Sequence, residues 1–292
     1  MTAPSEPLNP FIPTLRTVHA VYRIGVIVRP KKTDALICQS LAKHFQLEIA
    51  QYGVPHADWF HWIIKRLRNA GLLALIGHLS LSLYIKLEQA SERFLGKTIW
   101  EKYGVPTPGW TGLLKNTCHN EQDLKNQFKD VDLIIALDAF RLPQSFFRGL
   151  NTPFFEVAWG DATKFLGDSS AFWEYAMGKK KDSTVSIIKR TAYFQKISIL
   201  TQIPVNNITD HETLRSLKVK QAIELSLRLP AVLDTALQNP HSIDYAVELK
   251  KIINQCYAPT LWTYVKFKYF GLDSLPWYAC RPKDAILKMP IN

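Results

Sequence analysis

Short blocks of consecutive apolar residues alternate along this chain with segments whose apolar positions recur every three or four residues. The first block, Ile24-Gly25-Val26-Ile27-Val28, has the length and β-branched content of a strand buried on both faces. Leu36, Ile37, Leu41 and Phe45 follow at helical spacing, and strand followed by helix predicts the opening of a parallel sheet. Residues 133–137 and 154–158 repeat the strand pattern, with a polar helix at 121–129 and a short segment at 142–147. Two further strands are predicted at 183–188 and 196–205, and a helix at 171–177. Residues 59–94 are helical in period and carry no charge between Asn69 and Ile85, which reads as one long helix or a hairpin broken near Gly71 or Gly77. Thr209 and Glu212 have the spacing of a capping box, opening a helix bent by Pro230, and residues 245–270 read as helix.

These elements predict an α/β fold with a Rossmann-type, mostly parallel sheet. The expected organisation is an N-terminal extension at 1–22, one α/β domain at 23–240 with a helical insertion at about 57–95, and a helical C-terminal extension at 241–292. The 292 residues are 47% apolar and 21% charged, which excludes a disordered chain, collagen or a small disulfide scaffold. The first residues carry Pro4, Pro7, Pro10 and Pro13 and lack the basic-then-apolar order of a secretory signal. Cys38, Cys118, Cys256 and Cys280 are far apart, so free thiols in a reducing cytoplasm are expected. The uncharged run falls short of the roughly 18 to 20 apolar residues that span a bilayer.

Several chemistries lack their motifs. The turn Arg29-Pro30-Lys31-Lys32-Thr33 has no glycine to bring a pyrophosphate close to the backbone, so no dinucleotide site is expected there. The eight histidines show no metal-ligand spacing, and no metal is expected. No Gly-x-Ser-x-Gly turn marks a hydrolase.

Four stretches between Asp132 and Leu237 carry a family likeness through their order and spacing. They are the Asp132 strand with Arg141-Leu142-Pro143-Gln144-Ser145-Phe146-Phe147; Gly149 to Val157; Lys164-Phe165-Leu166-Gly167 ahead of a helix containing Trp173 and closed by Gly178; and Thr184-Val185-Ser186 leading to Ile203-Pro204-Val205. Together they resemble the formyltransferases, which move a formyl group from 10-formyltetrahydrofolate to an amine. The helical insertion and Cys256-Tyr257-Ala258-Pro259-Thr260 are similar to parts of sugar- and small-amine-modifying members.

The resemblance implies 10-formyltetrahydrofolate as cofactor, held largely by loop backbone. It also implies catalysis by an Asn-x-His pair, which polarises the formyl oxygen, and by a loop Asp that tunes the His. On this chain the Asn position falls on Glu156, the His position on Ala158 and the Asp position on Tyr193. Alanine has no donor, a carboxylate repels an oxyanion, and a phenol is no base at neutral pH. Losing one oxyanion donor costs about 10²–10³ in rate. The expectation is therefore a homologue inactive in ordinary formyl transfer that acts as a binding, regulatory or assembly subunit. The alternative is a divergent enzyme using the same pocket for one-carbon or acyl transfer to an amine.

Glu156, Trp159, Asp161, Asp168 and Tyr193 are the candidate pocket residues. In one reading the three carboxylates form a new acid/base or amine site at the carboxyl ends of the strands. In the other, Glu156 and Asp161 are solvated loop groups, Asp168 caps the helix at Ser170, and Trp159 fills space.

Lys and Arg outnumber Asp and Glu 36 to 25, a net charge of +11, with clusters at Arg29/Lys31/Lys32, Lys65/Arg66/Arg68, Lys179/Lys180/Lys181, Lys189/Arg190 and Lys266/Lys268. Without a nucleic-acid-binding motif, nucleic acid is not the expected partner. The segments 59–66 and 261–270 place aromatics beside cations, the pattern of helices that lie in a bilayer interface. Expected partners are an anionic membrane surface or lipid-linked substrate, another protein, or a second copy of the chain. The expected location is the cytoplasm or the inner membrane's surface.

Overall fold

The computed structural model describes residues 22–52, 57–94, 98–113, 115–138, 142, 144–147, 150–167, 169–178, 183–190, 196–209, 212–238, 246–248, 254–256 and 259–270. Its strands are β1 (Arg23–Val28), β2 (Gln46–Tyr52), β3 (Lys115–Cys118), β4 (Leu133–Ala136), β5 (Phe154–Ala158), β6 (Phe165–Gly167), β7 (Thr184–Arg190), β8 (Lys196–Pro204), β9 (Ala246–Glu248) and β10 (Asn254–Cys256). Its helices are α1 (Lys32–Leu41), α2 (Ala57–Phe94), α3 (Ile99–Lys102), α4 (Glu121–Gln127), α5 (Gln144–Phe147), α6 (Ser170–Met177), α7 (Leu214–Gln238) and α8 (Leu261–Phe270).

Eight strands form one sheet in the order β3-β2-β1-β4-β5-β7-β8-β9, while β6 and β10 pair separately. Pairing is parallel from β3 through β5 and antiparallel from β5 through β9. Val26 lies between Ile49 and Ile135, so the centre of the sheet is aliphatic. The apolar runs serve both faces: Ile24, Val26 and Val28 pack beneath the α1–α7 layer, whereas Ile27, Ile134 and Phe154 pack with Leu124 and Phe146 from α4 and α5. Burying both faces is what an uninterrupted apolar strand requires.

The expected α/β sheet is present, with differences at particular elements. β2 and β3 were not expected, and they extend the parallel half beyond β1. Within 245–270, read as one helix, residues 246–248 form β9 and 254–256 form β10 ahead of α8. Thr209 and Glu212 do bond to each other, through Thr209 Oγ1 to Glu212 Oε1 at 2.8 Å, but they close a turn rather than cap a helix. The cap of α7 is Thr213, whose Oγ1 accepts from Ser216 N at 3.1 Å. Ser216 Oγ in turn accepts from Thr213 N at 2.7 Å, the reciprocal arrangement of a capping box.

In α2 the break falls at Gly71, with φ +77° and ψ 170°, a backbone state that glycine adopts without steric cost. Gly77 has another purpose. A Cβ there would sit 2.7 Å from Thr260 Cβ, so the missing side chain lets the start of α8 lie directly on α2. Tyr84 and Tyr264 then meet at 5.9 Å between ring centroids, and both helices cover α6 through Leu81, Phe172 and Phe267.

Pro230, within α7, cannot donate to the Ser226 carbonyl one turn earlier. Ser40 Oγ of α1 donates to that carbonyl instead, at 2.5 Å. Burial of this otherwise orphaned acceptor is satisfied across the α1–α7 contact.

Candidate functional site

β1, β4 and β5 end side by side, with the β1–α1 turn and the loop after β5 at the same rim. Ligands of doubly wound sheets bind at such a rim, where connections leave for opposite faces. Ala136 pairs with Glu156, so Ala158 stands level with Asp138, two residues further along each strand.

Glu156 is buried within the sheet rather than lying in the loop. Arg190, on neighbouring β7, donates from Nε to Oε2 at 2.6 Å and from Nη2 to Oε1 at 3.1 Å. The bidentate pair engages both carboxylate oxygens. Burial pushes the Glu156 carboxyl up, with Arg190 pulling the other way. Ala158, next on the same face, is buried and its side chain carries no polar atom.

Asp161 works on its own loop. Its Oδ1 accepts from Thr163 N at 2.9 Å and Gln202 Nε2 at 2.7 Å, and its Oδ2 lies 3.1 Å from Lys164 Nζ. Burial disfavours its charge, but these bonds outweigh burial and hold the carboxyl below its ordinary range. Glu174 of α6 braces the same loop, accepting from Asp161 N and Thr184 N, both at 3.0 Å. Trp159 is buried, and its Nε1 donates to the Leu137 carbonyl at 3.0 Å. Asp168 and Tyr193 lie outside the described residues.

Glu156, Trp159 and Asp161 are thus brought to one edge but point into separate bonding arrangements. A second group of charges meets beside them, unforeseen as a unit. Lys31 Nζ donates to Asp138 Oδ2 at 2.6 Å, and Arg29 Nε lies 3.7 Å from the same oxygen. Lys218, from α7, stands over the Trp159 ring at 4.2 Å, a cation–π contact. Asp34, in the first turn of α1, accepts from Arg29 N at 2.9 Å and Thr33 Oγ1 at 3.1 Å.

These environments separate the group's proton affinities. Burial raises the Asp34 carboxyl to about 6 against the opposing pull of Lys31. Burial lowers the Lys218 ammonium to about 8, with Asp138 resisting. Burial also disfavours the Asp138 carboxylate, but Lys218, Lys31 and Arg29 outweigh it and hold that group well below the usual range. Burial therefore draws Asp34 and Lys218 toward neutrality from opposite sides.

Solved structures similar to this chain include three formyltransferases. A sugar N-formyltransferase from Shewanella sp is 12% identical, with 74% of this chain and 71% of that chain covered, at a TM-score of 0.43. A 4-N formyltransferase from Francisella tularensis is 10% identical over 78% and 73%, at 0.45. A phosphoribosylglycinamide formyltransferase from Streptococcus pneumoniae is 12% identical over 73% and 98%, at 0.41. At these identities and TM-scores, none transfers an activity or a residue role. No family model and no curated protein matches the chain.

The reacting centre implied by the sequence resemblance does not fit the side chains present. A formyl oxygen near Glu156 and Ala158 would meet an engaged carboxylate and a methyl group. Among the described residues, no group of three His, Cys, Asp or Glu side chains could hold a metal ion.

Sequence reading missed Lys218, Asp138 and Asp34 because they lie 80 to 184 residues apart and fit no local motif. Arg190 was visible only as part of a basic cluster. Its position on β7, diagonally across from Glu156, is what turns it into a buried partner.

Proposed function

We propose that this chain is a divergent formyltransferase-family homologue that does not carry out ordinary formyl transfer and serves as a binding, regulatory or assembly subunit. One observation carries the reading: Arg190 engages both oxygens of Glu156 where the resemblance calls for a neutral amide donor. Ala158, at the adjoining expected histidine, adds no donor to compensate. Stabilising an oxyanion requires donors aimed at the developing charge, so replacing them with an engaged carboxylate and a methyl removes the principal catalytic contribution.

The test is a calorimetric titration of the protein with a stable folate analogue, run beside an assay for formyl release from 10-formyltetrahydrofolate. The expected result is no release above background, whether or not the analogue binds. Formyl transfer to any amine by the unaltered chain overturns the proposal.

A second reading is favoured by the Asp34–Asp138–Lys218 group. Here the same rim supports different acyl or one-carbon chemistry, with Lys218, held over the Trp159 ring and drawn below its ordinary range by burial, as the candidate base. Turnover of an amine substrate that is lost in Lys218→Met, with native circular dichroism retained, distinguishes this enzyme from a silent homologue.

A further inference from the structure

α2 is apolar on both sides. Its inner residues pack over α6, but Leu72, Ile76, Leu79, Leu83 and Leu87 are exposed at spacings of four, three, four and four, forming one outward stripe. The stripe runs roughly 22 Å along the helix. Leu73, at its border, is 85% exposed. α8, packed against α2, adds Trp262, Tyr269 and Phe270 as exposed aromatics, with Phe270 84% exposed. An exposed apolar stripe of this length marks an interaction site.

The charges around the stripe narrow the choice of partner. Lys86, Lys266 and Lys268 are exposed, and no carboxylate occurs in α8 or in α2 from Gly71 to Leu87, with Glu88 and Glu92 following only at the end of α2. A second copy meeting this face symmetrically would bring like cations together, because an isologous contact repeats the same patch. An anionic lipid surface complements the cations and accepts the leucines and aromatics at the boundary between headgroups and acyl chains. Among the described residues, no helix is long and apolar enough to cross the membrane, so contact would be peripheral. We infer that the α2–α8 face docks on an anionic membrane surface, with the leucine stripe and exposed aromatics immersed and the lysines at headgroup level. The earlier aromatic segment at 59–62 lies outside the described side chains and is not needed for this assignment.

Co-sedimentation tests the inference with vesicles of phosphatidylglycerol and phosphatidylcholine in equal parts, using pure phosphatidylcholine vesicles for comparison. The full chain should pellet with the anionic vesicles at low salt and be released as salt increases. K266Q/K268Q should bind about 25-fold more weakly, from a factor of about five per lysine. L73E/L83E changes only exposed positions and should bind about 100-fold more weakly through loss of two immersed leucines. Circular dichroism should show that both variants retain the native helix content. Failure of the unaltered chain to pellet at low salt overturns the inference, as does equal binding to both vesicle types. A dimer that L73E/L83E dissociates, in a protein that ignores vesicles, overturns it in favour of a second copy.

Discussion

Arg190 and Glu156 show why a residue's surroundings matter more than its type. Removing Arg190 leaves a buried carboxylate without its counter-ion, which typically costs about 3–5 kcal/mol. Arg190→Met should therefore unfold at much lower urea than the parent at pH 7. The gap should narrow at pH 5, as the isolated Glu156 takes up a proton. Asp34 gives a separate pH signature. Its carboxyl is raised from 3.8 to about 6, so over that interval the folded chain keeps a proton that the unfolded chain releases. The associated stability is complete below about pH 4 and disappears as pH rises through about 6. Asp34→Asn removes this dependence. Relative to the parent, the variant should gain on the order of 3 kcal/mol between pH 4 and pH 7, measured by urea unfolding at both values.

At the scale of elements, helix ends and contacts decide most of the detail. Thr213→Ala removes the side-chain acceptor at the start of α7 and should cost about 1 kcal/mol in thermal or urea unfolding. Gly77→Ala should cost about 1–3 kcal/mol, because its Cβ meets Thr260 Cβ at 2.7 Å and α8 must move. Faster amide exchange confined to α8 and the facing turn of α2 would locate that disturbance. The same elements show what could be read from the sequence. β1, β4 and β5 were legible because strands buried on both faces are uninterrupted apolar runs. β3, Lys-Asn-Thr-Cys at the sheet edge, has no apolar pattern, and β9 and β10 are too short for one. The turn at Thr209 carried a genuine capping signature, but Thr213 and Ser216 four residues later form the cap, through a hydroxyl pair that the usual Glu or Gln pattern does not mark. Of the site, Trp159 and the carboxylates after β5 could be found locally. Lys218 could not, because only packing of α7 against α1 brings it over that ring.

For the whole molecule, buried carboxyls pull stability in two directions. Asp34, Glu156 and Glu174 are raised, chiefly by burial, so their contributions fall as pH climbs above the ordinary carboxyl range. Asp138, Asp161 and Glu212 are lowered because their partners outweigh burial, so their contributions are lost as pH drops below that range. The carboxyl contribution to stability should therefore be greatest around the ordinary carboxyl range, near pH 4, and decline as pH rises through about 6, far from the sequence pI of about 9.4. A series of urea midpoints across pH would reveal the peak. The proline in α7 reaches across the fold in another way. Ser40→Ala should cost about 1–3 kcal/mol while residue 230 is proline, because it strands the Ser226 carbonyl. After Pro230→Ala restores a local amide donor, the same change should cost little, as a double-mutant cycle would show. Substitution at these two sites should consequently be order-dependent. A lineage can discard the hydroxyl cheaply only after it has discarded the proline, so two helices made 186 residues apart constrain the order in which each is free to change.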